Sequence, residues 1–173
     1  MFDHRPLVLC AGVNDRPFIF LDRKTPSYTA IIERDGNLVI ALADMDLYRM
    51  FVPRRLSIRS VRDAFSATDM ILFDANLPEE TLVSITARAK ALGKPVAAIA
   101  ISPAKAVKLK ACMQGIDYLF LNEAEATALT GERPENPVHW PARLGDIGLK
   151  GGVVTRGQRE LIAFSAGHVA ALQ

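Results

Sequence analysis

The chain has 173 residues, half of them hydrophobic, and a formal net charge of +2. That suffices for one domain with a real core, and the near-balanced charge excludes a nucleic-acid arm, an acidic tail or a polybasic membrane patch. No apolar run reaches the roughly 18 residues of a membrane helix and no signal-peptide pattern opens the chain, so a soluble cytoplasmic protein is expected.

Residues 1 to 24 carry few signals. Leu7 to Ala11 reads as a strand, Gly12 to Pro17 as a turn, and Phe18 to Leu21 is apolar again before the solvated link Asp22-Arg23-Lys24. Tyr28 to Ile32 and Leu38 to Leu42 are rich in β-branched residues, and Asp35-Gly36 between them is a strong hairpin signal. This hairpin, within residues 25–46, reads as a flap beside a larger sheet. Asp44 and Asp46 flank Met45 without a third ligand at metal spacing, which favours a solvated loop.

A regular alternation follows. Arg55 to Ala67 has helical spacing through Leu56, Ile58, Val61, Ala64 and Phe65. Met70 to Phe73 is a strand. Glu79 to Leu92 is a helix with the stripe Leu82, Ile85, Ala89 and Leu92, acids in its first turn, Lys90 near its end and Gly93 after it. Pro95 to Ile101 is a strand and Pro103 to Met113 a helix. Tyr118 to Leu121 is a continuous apolar run, as expected of a strand covered on both faces. Asn122 caps the next helix, Glu125 stands at the capping-box position and Gly131 closes it. A Pro-rich crossing leads to a helix over residues 142–149. Gly151 to Thr155 supplies a fourth strand, and Leu161–Phe164 with His168–Leu172 closes as a hairpin. Strands alternating with helices predict an α/β fold with a largely parallel sheet and right-handed crossovers.

The two cysteines, Cys10 and Cys112, sit in apolar or helical contexts and read as buried free thiols. His4, His139 and His168 show no metal-ligand spacing.

In an open parallel sheet, ligands bind beyond the carboxyl ends of the strands. The residues found there are Asp74 and Asn76, Ser102 and Lys105, Asn122 and Glu125, and Thr155 to Gly157. Each has a plain alternative: turn or cap residues for Asp74, Asn76 and Ser102, a solvated lysine for Lys105, a strand end for Thr155, a helix start for Asn122 and Glu125. Neither a Gly-x-Gly-x-x-Gly fingerprint, nor a Walker-type loop, nor a Gly-x-Ser-x-Gly elbow is present.

At Asn122-Glu-Ala-Glu125 and Val153-Val-Thr155-Arg-Gly157 the sequence resembles the ribokinase-like, PfkB-type carbohydrate kinases, in which one strand leads into Asn-x-x-Glu and a later one into Thr-x-Gly. Thr25 to Thr29, Asp35-Gly36, Ala43 to Asp46, Phe73 to Pro78 and Ser102 to Lys105 look most like the pseudouridine kinases among them. The resemblance runs from about residue 25 to 165 and implies one partial ribokinase-like domain over residues 1–173 with a β lid at about 25–46. It implies ATP-dependent transfer to the 5′-hydroxyl of a sugar or nucleoside, with magnesium bridging the phosphates. In that picture Asn122, Thr155 and Gly157 bind the nucleotide, Glu125 holds magnesium through water, and Asn76, Ser102 and Lys105 face the substrate. The lid implies pairing of two copies through it, or through an exposed sheet edge; neither nucleic acid nor a membrane is expected as a partner.

Two departures stand out. The family's Gly-Ala-Gly-Asp segment, with its catalytic base and anion hole, does not occur before Gln173, and its early Gly-Gly segment is absent. The expectation is therefore a chain truncated at both ends, with no catalytic residue of its own and no activity alone; the alternative is a non-catalytic nucleotide-binding or dimerising relative. Glu160 stands where the nucleotide loop has glycine, and a left-handed turn there would be strained.

Overall fold

Short apolar runs alternating with amphipathic stretches wind residues 71–156 into strand–helix–strand units. The computed structural model describes residues 12–14, 17–34 and 38–172. These fall into two compact units, one within residues 1–47 and one within 48–173. The expected strand at Leu7–Ala11, the thiol of Cys10, the imidazole of His4 and the Asp35-Gly36 turn lie outside the described residues.

The first unit is a hairpin of β1 (Ser27–Ile32) and β2 (Leu38–Asp44), antiparallel, with Ser27 opposite Asp44 and a register shift between Ile31 and Ile32. After it the Asp46 amide donates to Asp44 Oδ1 at 3.3 Å, an Asx-type turn that uses this carboxylate locally.

The second unit is a six-stranded sheet in sequential order, β3 (Ile71–Asp74), β4 (Val96–Ile99), β5 (Tyr118–Asn122), β6 (Gly151–Arg156), β7 (Arg159–Ser165) and β8 (His168–Leu172). The pairs from β3 to β6 are parallel and the last two antiparallel. The described helices are α1 (Arg59–Ala67), α2 (Glu79–Ala91), α3 (Pro103–Ala106), α4 (Glu123–Thr130) and α5 (Trp140–Asp146), with short 3₁₀ segments between them. Because the parallel strands advance in one direction, right-handed crossovers bring their helices to one face. The core lies there: Leu82, Ile85 and Ala89 of α2, Leu109, Met113, Trp140 and Leu144 pack against Leu119, Leu121 and Val154. Arg88 ties α2 to the segment before α1, donating to the Leu56 carbonyl at 2.6 Å with its guanidinium 5.4 Å from the Phe65 ring centre.

Several expectations need correction. Tyr118 to Leu121 is not covered on both faces: Leu119 and Leu121 are buried, whereas Tyr118 is 38% and Phe120 43% exposed. Leu72, Ile99 and Val169 are exposed as well. The continuous apolar run thus marks a sheet with one packed and one bare side. Leu92 leaves the buried stripe because α2 ends at Ala91, and its side chain is exposed. The strand expected to reach Ile101 ends at Ile99, since Ile101 takes φ = +72°, a left-handed conformation that stops a ladder. The helix expected over 103–113 is one α turn followed by 3₁₀ structure at Val107–Gly115. The stretch 55–67 is broken at Ile58, whose extended backbone separates the 3₁₀ segment Pro53–Ser57 from α1. The helix expected over 142–149 begins earlier, at Trp140. Cys112 is a buried free thiol, and burial pushes its pKa up to about 11.

Candidate functional site at the carboxyl edge of the sheet

Strands β3 to β6 run parallel, so Asp74, Asn122 and Thr155, near their ends, lie along one edge of the sheet. Asn122 and Thr155 are register partners on β5 and β6. The two motifs, 33 residues apart in sequence, therefore sit side by side, and the Thr155 hydroxyl donates to the Leu121 carbonyl at 3.4 Å.

The start of α4 is closed by a full capping box. The Glu125 amide donates to Asn122 Oδ1 at 2.9 Å and the Asn122 amide to Glu125 Oε2 at 2.8 Å. The helix-start reading of Asn-x-x-Glu is thus realised in full. It uses one oxygen of each side chain, and no hydrogen bond among the described residues engages Glu125 Oε1. Glu125 is buried, and Gly131 ends the helix at φ = +90°. Gly157 turns β6 into β7 at φ = +67°, so the left-handed residue of this turn is a glycine and Glu160 is not strained, contrary to expectation.

Asn76, Ser102 and Lys105 follow β3 and β4. The Asn76 amide nitrogens on backbone and side chain donate to the two oxygens of Asp74, at 2.9 and 3.0 Å, and Lys105 Nζ donates to Asn76 Oδ1. Asn76 and Lys105 are thereby joined in one cluster. Ser102 occupies the N-cap position of α3, but its hydroxyl makes no capping bond. Helix α3 packs against α4, which brings this cluster and the capping box to neighbouring helices. Lys108, which the sequence reading passed over, donates to the Leu77 carbonyl at 2.7 Å. Burial and then the nearby Lys105 charge hold its ammonium below the ordinary lysine value.

A second group escaped the sequence reading. Glu123, between Asn122 and Glu125, is buried, and three guanidinium groups converge on it: Arg133 at 2.9 Å, Arg156 at 3.2 Å and Arg159 at 2.6 Å. Burial pushes the Glu123 carboxyl up, but Arg156, Trp140, Arg133 and Arg159 outweigh it and hold it below its ordinary value. The Trp140 indole N–H makes no hydrogen bond of standard geometry, yet it lies close enough to favour the carboxylate. The signal available in sequence was basic residues inside Thr155-Arg-Gly-Gln-Arg159 facing an acid inside Asn122-Glu-Ala-Glu125.

A concavity of about 760 Å³ lies at the opposite edge and is lined by Lys90, Lys94, Asp117 and Lys150 among others. It contains none of the motif residues. No three-ligand cluster of His, Cys, Asp or Glu occurs among the described residues, so a cation has no direct protein cage there. The donor set at Glu125 fits a hydrated magnesium held through water, not a dehydrated one.

The profile described as pfkB family carbohydrate kinase matches residues 11–172. The chain belongs to this family. A carbohydrate kinase from Agrobacterium tumefaciens is similar at 60% identity and a TM-score of 0.86, covering 98% of this chain and 53% of that one. A ribokinase from Thermotoga maritima shares the fold at 18% identity and a TM-score of 0.74, with 99% of this chain and 56% of that one covered. An Arabidopsis thaliana ribokinase solved with ribose and ATP matches at 18% identity and a TM-score of 0.69, over 88% of this chain and 48% of that one. This PfkB chain therefore has the ribokinase-like α/β fold and spans about half the length of the solved relatives it matches. Comparison with curated proteins finds no match. No described helix is long and apolar enough to cross a membrane.

Proposed function

We propose that this PfkB chain carries the nucleotide side of an ATP-dependent phosphotransferase acting on a sugar or nucleoside hydroxyl, with pseudouridine as the acceptor. The observation that carries the reading is the register pairing of Asn122 with Thr155, which sets Asn-x-x-Glu beside Thr-x-Gly. Asn122, Thr155 and Gly157 bind the nucleotide, the glycine admitting close backbone approach. Glu125 would hold a hydrated magnesium through water, and the ion would supply charge neutralisation of the phosphates. Asn76, Ser102 and Lys105 form the substrate end, Lys105 being oriented by Asn76 and Asp74. No base is assigned within residues 1–173. The hairpin β1–β2, with Tyr28, Ile31, Val39, Ile40 and Leu42 exposed, supports a lid that pairs two copies, and the setting is cytoplasmic.

The bare apolar side of the sheet favours a second reading, a family member that binds nucleotide or pairs with another chain without catalysis. Incubating the full chain with magnesium-ATP and an acceptor panel (pseudouridine, ribose, fructose, adenosine), read by phosphorus NMR, separates the two. Phosphorylated pseudouridine supports the first reading. ATP binding that Thr155→Ala weakens, without any product, supports the nucleotide edge but not catalysis by this chain; self-association without ATP binding supports pairing alone, and neither binding nor self-association defeats both.

A further inference from the structure

The turn between β6 and β7 bears Thr155 and Gly157, yet the ladder around it is irregular. The register shifts between Val154 and Arg156, so backbone pairing alone leaves the turn's position loosely fixed. Side chains supply the missing constraint. Arg156 donates from Nε to Glu123 Oε1 at 3.2 Å and from Nη1 to the Glu160 carbonyl at 3.3 Å. Arg159 donates from Nη2 to Glu123 Oε2 at 2.6 Å and from Nε back to the Arg156 carbonyl at 3.3 Å. Both arms of the turn are thus gripped by the two oxygens of one carboxylate. That carboxylate belongs to the first residue of α4, whose backbone the capping box already holds. Arg133, just past the end of α4, completes the grip at 2.9 Å.

We propose that Glu123 is a positioning residue of the nucleotide edge: by binding Arg156 and Arg159 it fixes the Thr155–Gly157 turn at a set distance from Asn122 and Glu125. The inference rests on the nucleotide reading of that edge. Charge-assisted, two-oxygen bonding gives direction as well as strength, and neither a neutral amide nor a shorter acid at 123 reproduces it. Glu123 need not touch nucleotide; it determines where the groups that do touch it stand.

The test combines amide hydrogen exchange with calorimetric titration of magnesium-ATP, on the full chain and its variants. Glu123→Gln is expected to speed exchange of the amides of residues 155–160 and to weaken ATP binding, each by about tenfold, on the scale of one lost charge-assisted contact. The amides of β4 lose only as much protection as the fall in global stability explains, whereas a purely structural salt bridge would loosen residues 155–160 no more than β4. Arg159→Gln moves both readouts the same way by less; because Arg159 is half exposed, this variant keeps the fold and decides the matter if Glu123→Gln does not fold. Glu123→Asp restores neither readout fully, and Arg59→Gln, on exposed α1, changes neither. Unchanged exchange at 155–160, or faster exchange with unchanged affinity, overturns the inference while wild-type binding preserves the nucleotide reading. A wild-type chain that binds no ATP overturns both.

Discussion

The two ends of strand β5 hold a carboxylate in different ways. At the amino end, Asp117 accepts from Lys150 at 2.8 Å and from the Val96 amide at 2.8 Å, and the side chains of Asp117 and Lys150 remain partly exposed. One lysine bonds this carboxylate directly, and Lys90 and Lys94 line the same concavity. At the carboxyl end, Glu123 collects three arginines, and Arg156 keeps only 13% of its side-chain surface. Three guanidinium groups converge there on one carboxylate. The first acid links the starts of β4 and β6 with one ion pair, whereas the second gathers the end of α4 and both arms of the β6–β7 turn.

The contrast breaks most sharply at Glu123. Replacing it with alanine leaves Arg156 buried without its carboxylate and is expected to cost about 3 kcal/mol in denaturant unfolding, the lower end for a broken buried pair because two partners are half exposed. A loss below about 1 kcal/mol would mean that water already serves these arginines. Next comes Gly152→Ala. A Cβ there runs into the Leu119 carbonyl oxygen, so β5 and β6 must move apart, at about 2 kcal/mol; an unchanged midpoint would show that the strands do not approach this closely. Gly157→Ala is milder, about 1 kcal/mol, because the site is open and only the left-handed backbone objects. Its effect should fall on magnesium-ATP affinity more than on the melting temperature.

The amino end yields a pH experiment. Burial pushes the Asp117 carboxyl up, but Lys150 and the Val96 amide outweigh it and hold it below its ordinary value. The folded chain therefore binds this proton less readily than the unfolded one. The resulting stabilisation is present in full above about pH 4 and fades as pH falls through the folded-state value. Wild type should exceed Asp117→Asn in urea midpoint at neutral pH, and the gap should close in acid; a gap that persists at pH 2 would disprove the ion pair as its source. Lys150→Ala, removing only the exposed partner, should cost less than about 0.5 kcal/mol.

Much of this arrangement was legible in sequence, for reasons visible at particular residues. The hairpin strands, the alternation from β3 to β6 and the α4 cap follow from period, propensity and Asn122–Glu125 spacing, all of which are local signals. What was missed is not local. Phe120 is as apolar as Leu121, and nothing in the run Tyr118–Leu121 says that one side of the sheet lacks a cover. The extended backbone at Ile58 and the left-handed Ile101 leave no trace in the hydrophobic pattern. Glu123 was overlooked because its three partners lie 10, 33 and 36 residues away, at distances that no helix or hairpin period encodes. The cluster of Asp74, Asn76 and Lys105 was anticipated as neighbouring strand tips, but the chain of hydrogen bonds joining them was not.

The uncovered side of the sheet also bears on how the 173-residue chain behaves in a tube. Tyr118, Phe120, Leu72, Ile99 and Val169 offer aromatic and aliphatic surface that ordinary folded monomers hide. Fluorescent dyes that light up on greasy surfaces should stain it while its circular dichroism is still native. Crowded solutions of it should turn cloudy well below the temperature at which the strands come apart.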